Sequence, residues 1–234
     1  MQQRSIETKR KILSACVQLF LEQGYKETTV TQIIEHAGVA RGSYQNLFPA
    51  KEDVLLELVG TMFNGQFDMA GKLTEQNLPP VYLYAVETAI QLTLAELNEN
   101  LRKLYIEAYT LPHTSEYIFE HTTEKLSMIF GSYLPGYSQS DFYEIEIGTS
   151  GIMRNYMVKK CDIHFSLEAK LRRFLLASLR VCTVPENEIE EVLAFIQGID
   201  IKAAATQVMH ELFSMLEMKY NFKLSENALA KEEA

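Results

Sequence analysis

An all-α fold in two unequal domains is what this sequence predicts, and three observations predict it. Apolar residues recur at the three- and four-residue spacing of a helical face along most of the 234 residues. Glycine and proline, at 11 and 6, are too few for the turn every ~8 to 12 residues that an all-β chain needs. The breaks that do occur, at Pro49, Pro79-Pro80, Pro112, Pro135-Gly136 and Pro185, separate segments of helix length. A composition that is 47% hydrophobic and 23% charged suits a packed core. The length suits a small domain joined to a larger one.

The first elements can be justified residue by residue. Ile12, Cys16, Leu19 and Phe20 stand at i, i+4, i+7 and i+8, with Ala15 beside them and Gly24 where a C-terminal cap belongs, which predicts a helix over 6–22. Thr29 is a good N-cap for a second helix over 30–37, whose stripe Val30, Ile33, Ile34 and Ala37 ends at Gly38. A short third helix over 41–47 can turn Tyr44, Leu47 and Phe48 inward before Pro49 closes it. A long amphipathic run then starts at Lys51. Later helices are predicted over 51–73, 80–96, 98–110, 114–133, 139–160, 166–182, 186–197 and 199–222. Gly148-Thr149-Ser150-Gly151 reads as a kink or short loop inside one of them. The domains are therefore 1–50 and 51–224, with 225–234 a charged, fraying tail.

A formal charge of −9 and a pI near 5.2 oppose a polyanionic partner when the chain is treated as one surface. The charge is unevenly distributed. Residues 1–60 hold seven cations and seven anions, whereas the remainder holds 15 against 24. Four of the first seven cations lie between Arg4 and Lys11, a basic N-terminal arm. Cys16, Cys161 and Cys182 are odd in number and widely spaced, and the chain opens on no apolar signal-like segment. No uncharged stretch reaches the ~18 to 20 apolar residues that span a bilayer. A reduced, cytoplasmic setting without a membrane partner is expected.

Three short helices with Ala37-Gly38-Val39 turning between the second and third make the pattern of a helix-turn-helix. Residues 8–55 go further and resemble the N-terminal DNA-binding domain of the TetR family of transcriptional regulators. The resemblance rests on Ala15, Leu19 and Phe20, then Gly24-Tyr25, Thr29-Val30, Ile33, Ala37-Gly38-Val39, Gly42-Ser43, Phe48 and Lys51. It implies a dimeric, ligand-responsive regulator, most often a repressor, whose larger domain binds an effector and forms the dimer. No cofactor is implied. Two positions depart from the family: Gln45 stands where a phosphate-binding Tyr is usual, and Cys16 replaces the usual second Ala of the first helix.

Under that resemblance the DNA-facing candidates are Thr29, Arg41, Gly42, Ser43, Tyr44, Gln45, Asn46 and Lys51. Thr29 offers a capping hydroxyl and free helix N–H groups to a phosphate. Arg41 and Ser43 suit phosphate or base contacts, and Gly42 permits close approach. Gln45 and Asn46 can pair with adenine, or simply face solvent. Lys51 puts a cation at the positive end of a helix dipole, an unfavourable place unless an anion is near.

In the second domain, tyrosine, phenylalanine and methionine suit a pocket for an apolar or aromatic small molecule, and the candidates are Phe63, Phe67, Tyr105, Tyr109, Tyr143, Met153 and Tyr156. At helical spacing the same residues suit plain core. Leu175, Leu176, Leu179, Val208, Leu212, Met215 and Leu216 form apolar faces on two long helices, the candidates for a four-helix dimer interface. The alternatives are an enzyme or metal protein on a helical bundle, or a regulator whose second domain binds a protein. None of the five histidines has a Glu three residues before it, Cys161-Asp162-Ile163-His164 alone is short of a zinc site, and no phosphate loop or nucleophile motif occurs. The resemblance implies a homodimeric regulator on a palindromic double-stranded DNA operator, with no metal.

Overall fold

The computed structural model describes residues 2–61 and 78–224, and among these the chain is helical apart from turns and one isolated antiparallel bridge between Asp162 and Phe165. Helix α1 spans Gln2–Glu22, α2 Val30–Ala37 and α3 Arg41–Leu47; α4 begins at 51 and is described to 61. There follow α5 (Pro80–Leu97), α6 (Glu99–Ala108), α7 (Pro112–Phe130), α8 (Gln139–Val158), α9 (Leu167–Val181), α10 (Glu186–Gln197) and α11 (Ile201–Tyr220). Among the described residues no single helix is long and apolar enough to cross a membrane.

The first three helices close around a small core. Ile12, Cys16 and Phe20 from α1 are fully buried with Ile33 of α2, Tyr44 of α3 and Phe48 beyond it. Phe20 meets Tyr25 edge to face, with ring centroids 5.0 Å apart. Two glycines make the turns possible. Gly24, at φ +103°, ends α1, and an added Cβ would lie 2.5 Å from a Glu27 carboxylate oxygen. Gly38, at φ +61°, ends α2 by donating its N–H to Glu35 and Ile34 carbonyls. Cys16 and Cys182 are buried, and burial pushes both thiols up, Cys182 to about 12.

The larger part is organised around α5, which is apolar on nearly every side and is packed by α6, α7, α8, α9, α10 and α11. Helix α7 runs along α8, and α11 touches both α5 and α1. Through α6 and α11 the body holds the first helix of the small unit, and Asn100 of α6 donates its side-chain N–H to the Leu21 carbonyl at 2.8 Å.

Three expectations are corrected. The basic arm is the first turns of α1, with Lys9 paired to Glu57 of α4 at 2.9 Å. Helix α8 runs unbroken through Gly148-Thr149-Ser150-Gly151, because the Thr149 and Ser150 hydroxyls are satisfied within the same helix, by the Ile145 carbonyl and the Glu146 carboxylate. Leu175, Leu176, Leu179, Val208, Leu212 and Leu216 are core of a single protomer, and Met215 is half-buried against it. An apolar stripe reports that a face is covered, not what covers it. The tail 225–234 and the candidates Phe63 and Phe67 lie outside the described residues.

Candidate nucleic-acid interface and internal cavity

Helix α3 presents two faces of different character. Arg41, Gly42, Ser43, Gln45 and Asn46 are exposed, while Tyr44 and Phe48 are buried and Leu47 is half-buried. At the head of α2, Thr29 is exposed and forms a full capping box. Its hydroxyl accepts from the Gln32 N–H at 3.2 Å, and the Gln32 side-chain carbonyl accepts from the Thr29 N–H at 2.8 Å. The exposed surface is therefore made of short polar groups and one guanidinium on rigid backbone, suited to hydrogen bonds with phosphates and base edges.

Two predicted contact residues turn out to be internal. Tyr44 is 1% exposed and its hydroxyl has no hydrogen-bond partner among the described residues, so the ring fills the core and cannot reach a duplex. Lys51 is half-buried. Its ammonium donates to the Tyr25 carbonyl at 2.8 Å and the Thr28 carbonyl at 2.9 Å, and lies 4.1 Å from the centre of the Tyr25 ring. These carbonyls and the ring face supply the negative potential that the position at the start of α4 requires, in place of the phosphate anticipated above. Burial lowers the Lys51 pKa, with Glu107 and Glu27 opposing the shift.

The residue after Lys51 makes a second tie. Helix α7 starts at Pro112 behind Leu111, which offers no side-chain cap, and the Glu52 carboxylate accepts the His113 N–H at 2.8 Å. A carboxylate at a helix N-terminus meets both an orphan donor and the positive end of the dipole. The first turn of α4 thus holds the α1–α2 turn on one side and the head of α7 on the other.

Residues 12–58 match the family model described as "Bacterial regulatory proteins, tetR family". These residues form a TetR-type DNA-binding domain. It is 24% identical over 165 residues to the uncharacterised HTH-type transcriptional regulator YerO of Bacillus subtilis (strain 168), a match covering 64% of this chain and 55% of that protein. It is 41% identical over 54 residues to the HTH-type transcriptional repressor BepR of Brucella suis biovar 1 (strain 1330), covering 23% and 26%. The chain therefore spans about half, or less, of the length of these curated relatives. RolR, solved in complex with resorcinol, shares the fold at a TM-score of 0.64 and 17% identity, covering 82% of this chain and 96% of that one. The TetR-type helix-turn-helix is thus shared in sequence, and the body is shared in fold alone.

The body contains a cavity of about 50 Å³ between α5, α6, α7, α8 and α9. Such a volume holds a few water molecules and is far below the roughly 300 to 1,000 Å³ of an open small-molecule site. Its wall is mixed. Tyr84, Leu126, Ile129, Met153 and Phe174 are apolar; Glu87, Thr88, Gln91, Tyr109, Lys125, Glu146, Thr149 and Ser150 are polar. Gln91 donates to the Tyr109 hydroxyl at 3.0 Å. Glu146 is 4% exposed and takes hydrogen bonds from the Ser150 hydroxyl and, at 3.1 Å, from the Thr149 hydroxyl. Burial pushes the Glu146 carboxyl up to about 7, and the two hydroxyls only partly offset this. Glu87 is also pushed up by burial, against the pull of Lys125.

Of the predicted pocket residues the cavity contains Tyr109 and Met153. Tyr105 is packed in the core at 1% exposure, Tyr143 donates to Glu116 across the outside of α7 and α8 at 2.7 Å, and Tyr156 stacks on Phe165. Sequence reading missed Glu52, Glu87, Gln91 and Glu146. A signal existed for two of them: Glu87 stands at helical spacing with Leu83, Tyr84 and Ile90, and Glu146 with Phe142 and Met153, on stripes that face inward.

Two outcomes check these assignments. Tyr44→Phe leaves DNA binding unchanged and holds or raises the unfolding free energy, since it removes a buried unpaired hydroxyl worth about 1 kcal/mol or more; Gln45→Ala leaves stability unchanged. Fluorescence anisotropy on DNA and urea melts separate the two. For Glu146, the folded carboxyl titrates higher than the unfolded one, from 4.5 to about 7. Its contribution to stability is therefore full in acid and is lost as pH rises across that window. Glu146→Gln is expected to match the parent near pH 5 and exceed it near pH 8, by up to about 3 kcal/mol, in thermal melts at the two pH values.

Proposed function

We propose that the protein is a ligand-responsive repressor that binds a palindromic operator as a homodimer in the cytoplasm. The observation that carries the reading is the double tie made by the first turn of α4. Lys51 holds the turn that precedes Thr29 and α2, while Glu52 caps α7, the helix that contributes Lys125, Leu126 and Ile129 to the cavity. An effector that displaces α7 would pull on α4 and shift the reading unit. The shift is limited by the difference between the effector's affinities for the two arrangements.

At the DNA end, Arg41, Ser43 and Thr29 are assigned to phosphate or base contacts, Gly42 to close approach, and Gln45 and Asn46 to base edges, with adenine the best geometric match. Lys51 is assigned to positioning. One such unit binds weakly, and two units set one helical turn apart, ~34 to 36 Å, bind a palindrome together. With the α9 and α11 stripes used inside the protomer, the dimer contact is placed on the outward face of α8. There Ile147, Gly148, Gly151 and Val158 are exposed at helical spacing, Ile147 at 45% and Val158 at 50%. The effector is a small molecule with an apolar or aromatic body. The mixed lining of the cavity supports this, as does RolR, which shares the fold and was solved with resorcinol.

Selection of genomic fragments by the purified protein is expected to return an inverted repeat, and a small molecule from a mixed library is expected to release it; no preference for any palindrome would sink the reading. Glu52→Ala should keep both DNA and effector binding while the effector's ability to release DNA falls about tenfold or more, the ~1 to 3 kcal/mol range of an allosteric coupling. Anisotropy titrations with and without effector measure it. Ile147→Glu should convert a dimer to a monomer in sedimentation velocity at micromolar concentration without loss of helicity. A dimer that persists would move the interface elsewhere.

A further inference from the structure

We infer that the cavity's effector is an organic cation with a compact aromatic or apolar body, and that its positive charge is received by Glu146. The inference rests on the effector reading above and narrows it to a ligand class.

Charge bookkeeping inside the cavity carries the argument. Two carboxyls, Glu87 and Glu146, and one ammonium, Lys125, share the wall. Lys125 acts on Glu87. Glu146 is held only by the hydroxyls of Ser150 and Thr149, one turn on in its own helix, and no cation acts on it among the described residues. The titratable groups that face it are Glu87 and Tyr84 from α5, Tyr109 from α6, Lys125 from α7 and Cys182 at the end of α9. Apart from Lys125 these are acidic or neutral groups. A carboxyl with 4% exposure is costly to retain when a glutamine or leucine would fill the same space. Two hydroxyl donors preorganise its oxygens for an acceptor role, and acceptors look for a donor or a cation.

The rest of the wall suits the body of such a ligand. Tyr84, Tyr109 and Phe174 offer ring faces, and Leu126, Ile129 and Met153 offer apolar surface. Aromatic rings around a carboxylate are a favourable setting for an alkylammonium group, each cation–π contact adding about 0.5 to 2 kcal/mol when desolvated. At about 50 Å³ the cavity must widen to admit any organic molecule, so the helices that line it would have to separate. The charge pairing at Glu146 is available only to a ligand that has entered. It therefore favours the widened arrangement selectively, as a switch requires.

The binding should be linked to a proton. Ligand-free, Glu146 is half-ionised at about pH 7, and a bound cation holds it ionised. Affinity for a permanent cation is expected to rise about tenfold from pH 6 to pH 8, as the ionised fraction does, and then level off.

Calorimetry with the full chain tests this using three probes of similar body: benzyltrimethylammonium, its neutral carbon analogue neopentylbenzene, and the anion phenylpropanoate. The expected result is that the cation binds at least about tenfold more tightly than either of the others near pH 8 and weakens toward pH 6. In Glu146→Gln that preference and its pH dependence disappear, while the neutral probe binds as before and the variant keeps its helical circular dichroism. Thr149→Ser, which keeps a hydroxyl donor, should preserve the preference. If the neutral or anionic probe binds as well as the cation, or if the preference survives Glu146→Gln, the cation assignment is overturned while the effector reading stands. If no probe binds, the assignment is overturned too, and the library release experiment decides separately whether any effector exists.

Discussion

The contact on which the arrangement depends is the one between the Lys51 ammonium and the two carbonyls of the α1–α2 turn. Charge-assisted hydrogen bonds in a half-buried setting are worth more than ordinary ones and are costly to leave unmade. Because these two originate from the first turn of α4, the position of the DNA-reading unit is referred to that helix and not to its own small core. The carbonyls belong to the residues just before the capping box at Thr29, so the orientation of α2 follows. Lys26 adds an ion pair nearby with Glu107 of α6 at 2.7 Å, but it sits on the side of the joint rather than at its pivot.

Glu52 completes the joint from the other side. A helix that begins with proline and has no capping side chain of its own leaves N–H groups to be satisfied, and the carboxylate from α4 does so for α7. Two adjacent residues with opposite charges thus face opposite parts of the molecule. Under the proposed switch, a displacement of α7 would reach the reader through the two adjacent residues Lys51 and Glu52, a short path that needs no extended network. The cavity lies along α7 and α8, which pack extensively against each other.

The cavity's polarity sets it apart from an ordinary packing defect. A void lined by leucine and phenylalanine would be dry and would report nothing beyond imperfect packing. Here two carboxyls, an amide, a phenol and an ammonium converge on the same space, each retained against the cost of burial. The acidic excess of the larger part is therefore in part an internal property, and the whole-chain charge of −9 describes neither the reader's exposed face nor the joint.

By itself the sequence determined the helical class, the three short helices, their caps at Thr29 and Gly38, and the resemblance to the TetR family, because these depend on local spacing and on backbone preferences of single residues. Arg41, Gly42, Ser43, Gln45 and Asn46 were legible as exposed because α3 is short and its inward positions are set by Tyr44 and Phe48. What only the tertiary structure decided was which partner each polar or apolar group receives. The Lys51 cation met carbonyls from 23 and 26 residues away, Glu52 met a helix 61 residues on, and the leucines of α9 and α11 met their own chain. Helical periodicity says that a face is buried and a charge at a helix end says that a counterpart is needed; identifying the counterpart requires the long-range fold.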